Sequence, residues 1–234
     1  MSLHDPSTIR PLAPTLWVSE HPLRVAGLEL GRRMTIVRLP GGGLWLHSVA
    51  HLTPERRSAI DEFGTVRFVV APNPFHHQYL EAYREAYPEA VFAAGPRLPE
   101  KRPDLSFDLV LADHPDPRWE SELDQLVFAG NPLLPEVVFH HRPSRTLILT
   151  DLCFHLNADR PLLTRLAARV LGTYEKFAVS RLVRRGFSER DAARASLARV
   201  MAWDFDRVIV GHGDIIEHDG REALARAFDW LRSA

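Results

Sequence analysis

The stretch VRFVVAPNPFHH, from Val66 to His77, decides how the chain is read. Val66 to Ala71 has the composition of a strand buried inside a sheet, because β-branched and aromatic side chains pack well on a pleated surface. Pro72-Asn73-Pro74-Phe75 then interrupts it and two histidines follow. In α/β folds the strand fixes the backbone and the loop beyond it exposes the side chain, so polar residues just past buried strands mark candidate sites.

Two later stretches have the same form. Thr146 to Thr150 is a β-prone run that delivers Asp151, and Arg207 to Val210 runs into Gly211-His212-Gly213. Imidazoles with a carboxylate form a ligand set suited to Zn²⁺, Fe or Mn²⁺, and the flanking glycines allow close approach of the backbone. Each residue alone has an ordinary alternative. A histidine after a strand is more often a hydrogen-bonded loop residue than a ligand, and Asp151 could cap a turn. The conjunction of the three is what points to a metal.

Around these anchors the sequence reads as alternating strands and helices. Thr15 to Val18, Met34 to Leu39 and Leu44 to His47 are strands, the last two a hairpin across Gly41-Gly42-Gly43. Thr53 and Pro54 open a helix that Gly64 closes. A helix is expected from about His77 to Tyr87, strands at Val91 to Ala94, Phe107 to Leu111 and Asp124 to Ala129, and a hairpin joining Glu136–His140 to Thr146–Thr150 across Arg142-Pro143-Ser144-Arg145. From Asp159 a helix is expected to about Arg185, with Leu162, Leu163, Leu166, Val170 and Phe177 in apolar register, either to cover the sheet or to make a dimer contact, core packing being the preferred reading. Further helices start at Ser188 and span Arg221 to Leu231. No linker or repeat divides this order, which predicts one domain over 1–234 with a helical insertion at about 159–203.

Composition narrows the function classes. Lys plus Arg number 29 and Asp plus Glu 30, so no global field draws the chain to nucleic acid or a membrane. Arg181, Arg184 and Arg185 read as a solvated helix end. The one cysteine, Cys153, excludes an internal disulfide and a cysteine-cluster metal site, and reads as a small buried apolar group. The opening MSLHDPSTIRPLAP lacks the pattern of a secretory signal and no long uninterrupted apolar run follows. The expectation is a cytoplasmic protein with a small-molecule substrate.

Four stretches carry a family resemblance: RMTIVRLPGGGLWLHS, VVAPNPFHHQYL, PEVVFHHRPSRTLILTDL and WDFDRVIVGHGDIIEHDG. They resemble the metallo-β-lactamase-like superfamily and, within it, the DUF4336 family, whose name carries no activity. The resemblance implies an α/β fold, a four-layer αββα sandwich with a metal site on the edge where strand ends of both sheets converge. The superfamily pattern His-x-His-x-Asp-His falls on Pro72 to His77. Prolines replace both early histidines, His76 stands for the aspartate, and His77 is kept. The next histidine falls in Asn131 to Pro135 and is missing. The bridging aspartate matches Asp151, and the last histidine matches His212.

The resemblance therefore implies a reduced, mononuclear site with His76, His77, Asp151 and His212 as ligands to one divalent ion, zinc first, iron or manganese otherwise. Glu136, beside the missing histidine, is a fifth ligand, an outer partner, a general base or a solvent-facing strand residue. Bound metal would activate water in a metal-dependent hydrolase, with Glu136 or Asp151 taking the proton. The 96–119 loop would form part of a substrate lip. The alternative is a catalytically silent relative with a binding or structural role. Redox chemistry at a single iron is a third reading, though the sequence encodes none of the extra cofactor domains that accompany it.

The remaining candidates are weaker. His47 orients a ligand or is a bonded strand end. His140 and His141 are read as structural, and His155 is near enough to Asp151 to be a site candidate, unlike His51, His114 and His218. Ser48 and Ser144 have no histidine and acid that the sequence can assign to them.

Overall fold

The computed structural model describes residues 9–231. Most of the opening segment read above for a secretory signal, residues 1–8, lies outside them. The chain forms two compact units. The first takes residues up to 22 together with 32–112, and the second takes 23–31 and everything from 113 onward.

The first unit opens with β1 (Ile9–Ala13) and β2 (Leu16–His21). A small antiparallel hairpin, β3 (Arg24–Val25) and β4 (Leu28–Glu29), belongs to the second unit. The first unit resumes with β5 (Arg32–Arg38), β6 (Leu44–His47), α1 (Pro54–Phe63), β7 (Val66–Ala71), α2 (Leu80–Ala86), β8 (Val91–Ala94), α3 (Leu98–Lys101) and β9 (Leu109–Val110). Its seven strands run in the order β1-β2-β5-β6-β7-β8-β9. The pairs up to β5–β6 are antiparallel and those from β6–β7 onward are parallel.

Central β7 is buried at every position except Arg67, as an apolar strand between two parallel neighbours should be. Beneath the sheet lies a core that includes Met34, Ile36, Leu46, Val69, Tyr83 and Phe92. Helix α1 begins as its sequence specifies: the Thr53 hydroxyl accepts the Arg56 N–H, Pro54 fills the first turn, and Gly64 ends it. Such a cap contributes about 1 kcal/mol.

The second unit continues with β10 (Leu123–Phe128), β11 (Glu136–His141), β12 (Thr146–Ile148), α4 (Leu162–Leu171), α5 (Arg181–Arg185), α6 (Arg190–Met201), β13 (Arg207–Ile209) and α7 (Gly220–Ala227). Its sheet runs β10-β11-β12-β13, antiparallel until the parallel β12–β13 pair. The core beneath is rich in aromatic and aliphatic side chains, among them Phe128, Leu147, Phe187, Phe205, Val208 and Phe228.

Several expectations need correction. The helix expected from His77 starts at Leu80, because Asn73 Oδ1 accepts the N–H groups of both Phe75 and His76, and Tyr79 adopts a left-handed conformation. The single helix expected from Asp159 is two. Gly172, with φ +77°, ends α4, and Ser180 starts α5 by accepting the Val183 N–H. Strand β1 has no clear sequence signal because it contains Pro11, a residue that an edge strand tolerates. The core register expected for 162–177 is reversed for four of its five residues. Phe177 is buried, whereas Leu162, Leu163, Leu166 and Val170 are 50–68% exposed. Thr164 and Ala168 occupy the inner face instead.

Candidate functional site

Parallel β6 and β7 end at one edge of the first unit's sheet, His47 in register with Val70. Ser48 follows in a left-handed conformation, and its N–H reaches the Val70 carbonyl at 2.9 Å. His47 is buried and stacked on Trp45 at 5.2 Å. Burial, then the charges of His76 and Arg32, hold its pKa well below the ordinary histidine value. It is a neutral group within the protein.

The Asn73 turn presents His76, which is almost wholly buried and whose Nδ1 lies 2.5 Å from Ser48 Oγ. His77 turns elsewhere. Its Nδ1 lies 2.9 Å from the Arg102 guanidinium, which only donates. Burial, then Lys101 and Arg102, lower its pKa. With Nδ1 accepting, neutral His77 carries its proton on Nε2 and presents no lone pair to a metal.

In the second unit, parallel β12 and β13 lead to Asp151 and His212. The Gly211 N–H meets the Thr150 carbonyl at 3.3 Å, which places the two segments side by side. Asp151 Oδ1 is 3.1 Å from His212 Nε2. The other nitrogen, Nδ1, is 2.5 Å from the carbonyl of Gly31, and a carbonyl can only accept. Phe154 stacks on the imidazole at 5.6 Å. Nδ1 therefore carries a proton, and Nε2 and Asp151 Oδ1 meet across a shared proton or cation. This outer hydrogen bond to a backbone carbonyl is the arrangement that orients metal-ligating histidines.

Glu136, at the start of β11, is fully buried beneath the Asp151 loop. Its Oε1 accepts the Thr150 N–H at 2.7 Å, and its Oε2 accepts those of Asp151 and Leu152 at 2.7 and 3.1 Å. Burial, with the charge of Asp151, raises its pKa to about 7, against the pull of those backbone donors. The side chain holds the loop through these three backbone bonds.

His155 lies next to His212 through backbone contacts: its N–H meets the His212 carbonyl at 3.3 Å. His140 bonds Asp124 and the Asp204 carbonyl. His141 Nδ1 lies 2.6 Å from Ser144 Oγ, so Ser144 and Ser48 both have histidine partners that the sequence did not reveal. His51 stacks on His21, and His114 and His218 lie in exposed loops. Cys153 is buried, and burial pushes its thiol pKa well up, leaving it inert. Asn131 shapes the loop of residues 131–135 by accepting the N–H groups of Leu133 and Leu134. Trp119, at the end of the expected substrate lip, is fully buried.

The comparisons with known proteins agree on the fold. The family described as a domain of unknown function, DUF4336, matches residues 14–180. Its match ends before β13 and His212. No curated protein matches the chain. Among solved structures, FIM-1 metallo-β-lactamase from Pseudomonas aeruginosa in its mono-zinc form is 13% identical, with a TM-score of 0.66 over 100% of this chain and 99% of that one. A metallo-β-lactamase from Erythrobacter litoralis is also 13% identical, at a TM-score of 0.67 over 97% and 96%. The metal-soaked Flv1 flavodiiron core from Synechocystis sp. PCC6803 is 12% identical, at a TM-score of 0.66 over 96% of this chain and 60% of that one. The chain belongs to the DUF4336 family and has the metallo-β-lactamase fold.

Proposed function

We propose that the chain is a metal-dependent hydrolase that holds one divalent cation through Asp151 and His212 of the second unit, with His76 as the further ligand that the family resemblance implies. The observation that carries this reading is the 3.1 Å approach of Asp151 Oδ1 to His212 Nε2, with Nδ1 committed to Gly31. An imidazole and a carboxylate so placed suit a metal ion, zinc above all. Within the first unit, His76 has its Nδ1 turned to Ser48, so that in this reading Nδ1 donates to the hydroxyl and Nε2 is left as the ligand atom. His77 is left out because its Nδ1 accepts from Arg102. Two fold relatives lend support: FIM-1 was solved in a mono-zinc form and the flavodiiron core was metal-soaked.

When bound, such a cation supplies Lewis-acid activation of water and of a substrate oxygen. The chain's own part is orientation. Gly31 and Ser48 fix the two imidazoles, and Glu136 fixes the loop of Asp151, whose second oxygen is the group in position to take a proton. The substrate in this reading is a small molecule with a hydrolysable ester, thioester, lactone, amide or phosphodiester bond. The alternative, a silent relative, is favoured if the Asp151–His212 contact is closed by a proton alone.

Elemental analysis of protein purified without chelator separates the two. About one equivalent of zinc, iron or manganese is expected, falling to background in His76→Ala, Asp151→Ala and His212→Ala and unchanged in His77→Ala. Metal-free wild-type protein that also fails to take up added zinc would sink the proposal.

A further inference from the structure

Helix α4 is built inside out. Its inner face carries the small side chains of Thr164 and Ala168, and the Thr164 hydroxyl accepts the backbone N–H of Glu29 in β4 at 2.9 Å. Its outer face carries Leu162, Leu166 and Val170, one turn apart on a single stripe, with Leu163 beside them. Their exposures are 65, 50, 68 and 60%. Leu182 on α5 is 65% exposed as well. A surface helix of a globular protein turns its apolar stripe inward, so this stripe lacks the cover that such residues normally have.

The charges around it have one sign. Residues 160–185 hold Arg160, Arg165, Arg169, Lys176, Arg181, Arg184 and Arg185 against a single acid, Glu175, whereas the whole chain carries a formal net charge of −1. Several of the cations are braced. Arg169 lies 3.6 Å over the ring of Tyr174, Arg181 bonds the Val170 carbonyl, and Arg184 bonds the Val179 carbonyl. The segment is a cationic, leucine-faced platform on an otherwise acidic chain.

We propose that this platform docks on an anionic lipid surface, with Leu162, Leu163, Leu166 and Val170 entering the headgroup boundary while the flanking arginines face acidic headgroups. A short amphipathic helix with leucines on one face and Lys/Arg beside them has the composition of an interfacial anchor. A second copy of this chain fits less well, because apposing two such faces brings together two clusters of net charge +6. This departs from the expectation drawn from net charge, which averages over a strongly asymmetric chain. The proposal is independent of any metal.

The test is co-sedimentation of the full chain with vesicles containing about 30 mol% phosphatidylserine in phosphatidylcholine, beside pure phosphatidylcholine vesicles. Binding is expected to the anionic vesicles only. It should weaken about tenfold in the double variant Leu166→Asp, Val170→Asp, and fall in about 0.5 M NaCl. Circular dichroism of the variants should match the wild type, since the substituted side chains are exposed. Should they unfold, Leu166→Ala with the salt dependence gives the same readout. Absence of binding to anionic vesicles overturns the proposal. So does a wild-type dimer in size-exclusion chromatography that the double variant dissolves, because the face is then a self-interface.

Discussion

Glu136 is the side chain on which the second unit's loop depends. A buried carboxylate with both oxygens committed to three backbone N–H groups cannot be replaced isosterically, because glutamine turns an NH₂ toward at least one of those donors. Relief of its repulsion with Asp151 does not offset the loss. Glu136→Gln is expected to cost about 2–4 kcal/mol in urea denaturation and to lower the affinity for added zinc. A variant as stable as wild type would show that the loop holds without it. At this scale Asp151 and His212 were legible because each follows a β-prone run, and His76 because it follows the longest. Gly31 and Ser48 were not. The bond from Gly31 is a backbone carbonyl acting 181 residues away, and no local pattern encodes that. The partner of His77 was not legible either, since its Nδ1 faces Arg102, 25 residues distant.

Elements whose signals are local came through with their ends intact. Helix α1 had a cap, a first-turn proline and a terminating glycine, and β7 had an uninterrupted run of strand formers. Elements governed by tertiary packing did not. The periodicity of α4 was plain, but which face turned inward was decided by its seat against β4, where the small side chain of Thr164 fits and bonds Glu29. The turn after β13 makes a sharper demand. Gly213 has φ +95°, and a Cβ there would lie 2.0 Å from the His155 carbonyl oxygen. Gly213→Ala therefore displaces either the His155 segment or His212 itself. It is expected to lower stability by about 3 kcal/mol or more, read as a drop in melting temperature, and to reduce zinc uptake with it. An unchanged melting temperature would mean that the turn yields freely.

The molecule as a whole carries neutral histidines in both units, half-buried His21 in the first and buried His141 in the second, and these give its stability a pH dependence. Burial, then the charge of Arg56, lowers the His21 pKa to about 4, and burial, then His140, lowers that of His141 to about 4. Above the unfolded value near 6.5 neither state binds the proton, and their contribution is fully present. As pH falls from about 6.5 to 4 the unfolded chain protonates first, so stability is lost through that window. For fully buried His141 the loss is on the order of 2–3 kcal/mol. Denaturation midpoints measured across the window should fall with pH, and His141→Gln should flatten the slope. A midpoint that rises on acidification contradicts the assignment.

The order in which the chain leaves the ribosome gives the Gly31 carbonyl a further significance. The segment that carries it is made early, the imidazole it fixes is made 181 residues later, and their contact has the sequence separation of a slow, late folding event. A nascent chain halted anywhere before β13 has no His212 for that carbonyl to hold. The Asp151–His212 pair therefore takes its final geometry only after β13 has been made.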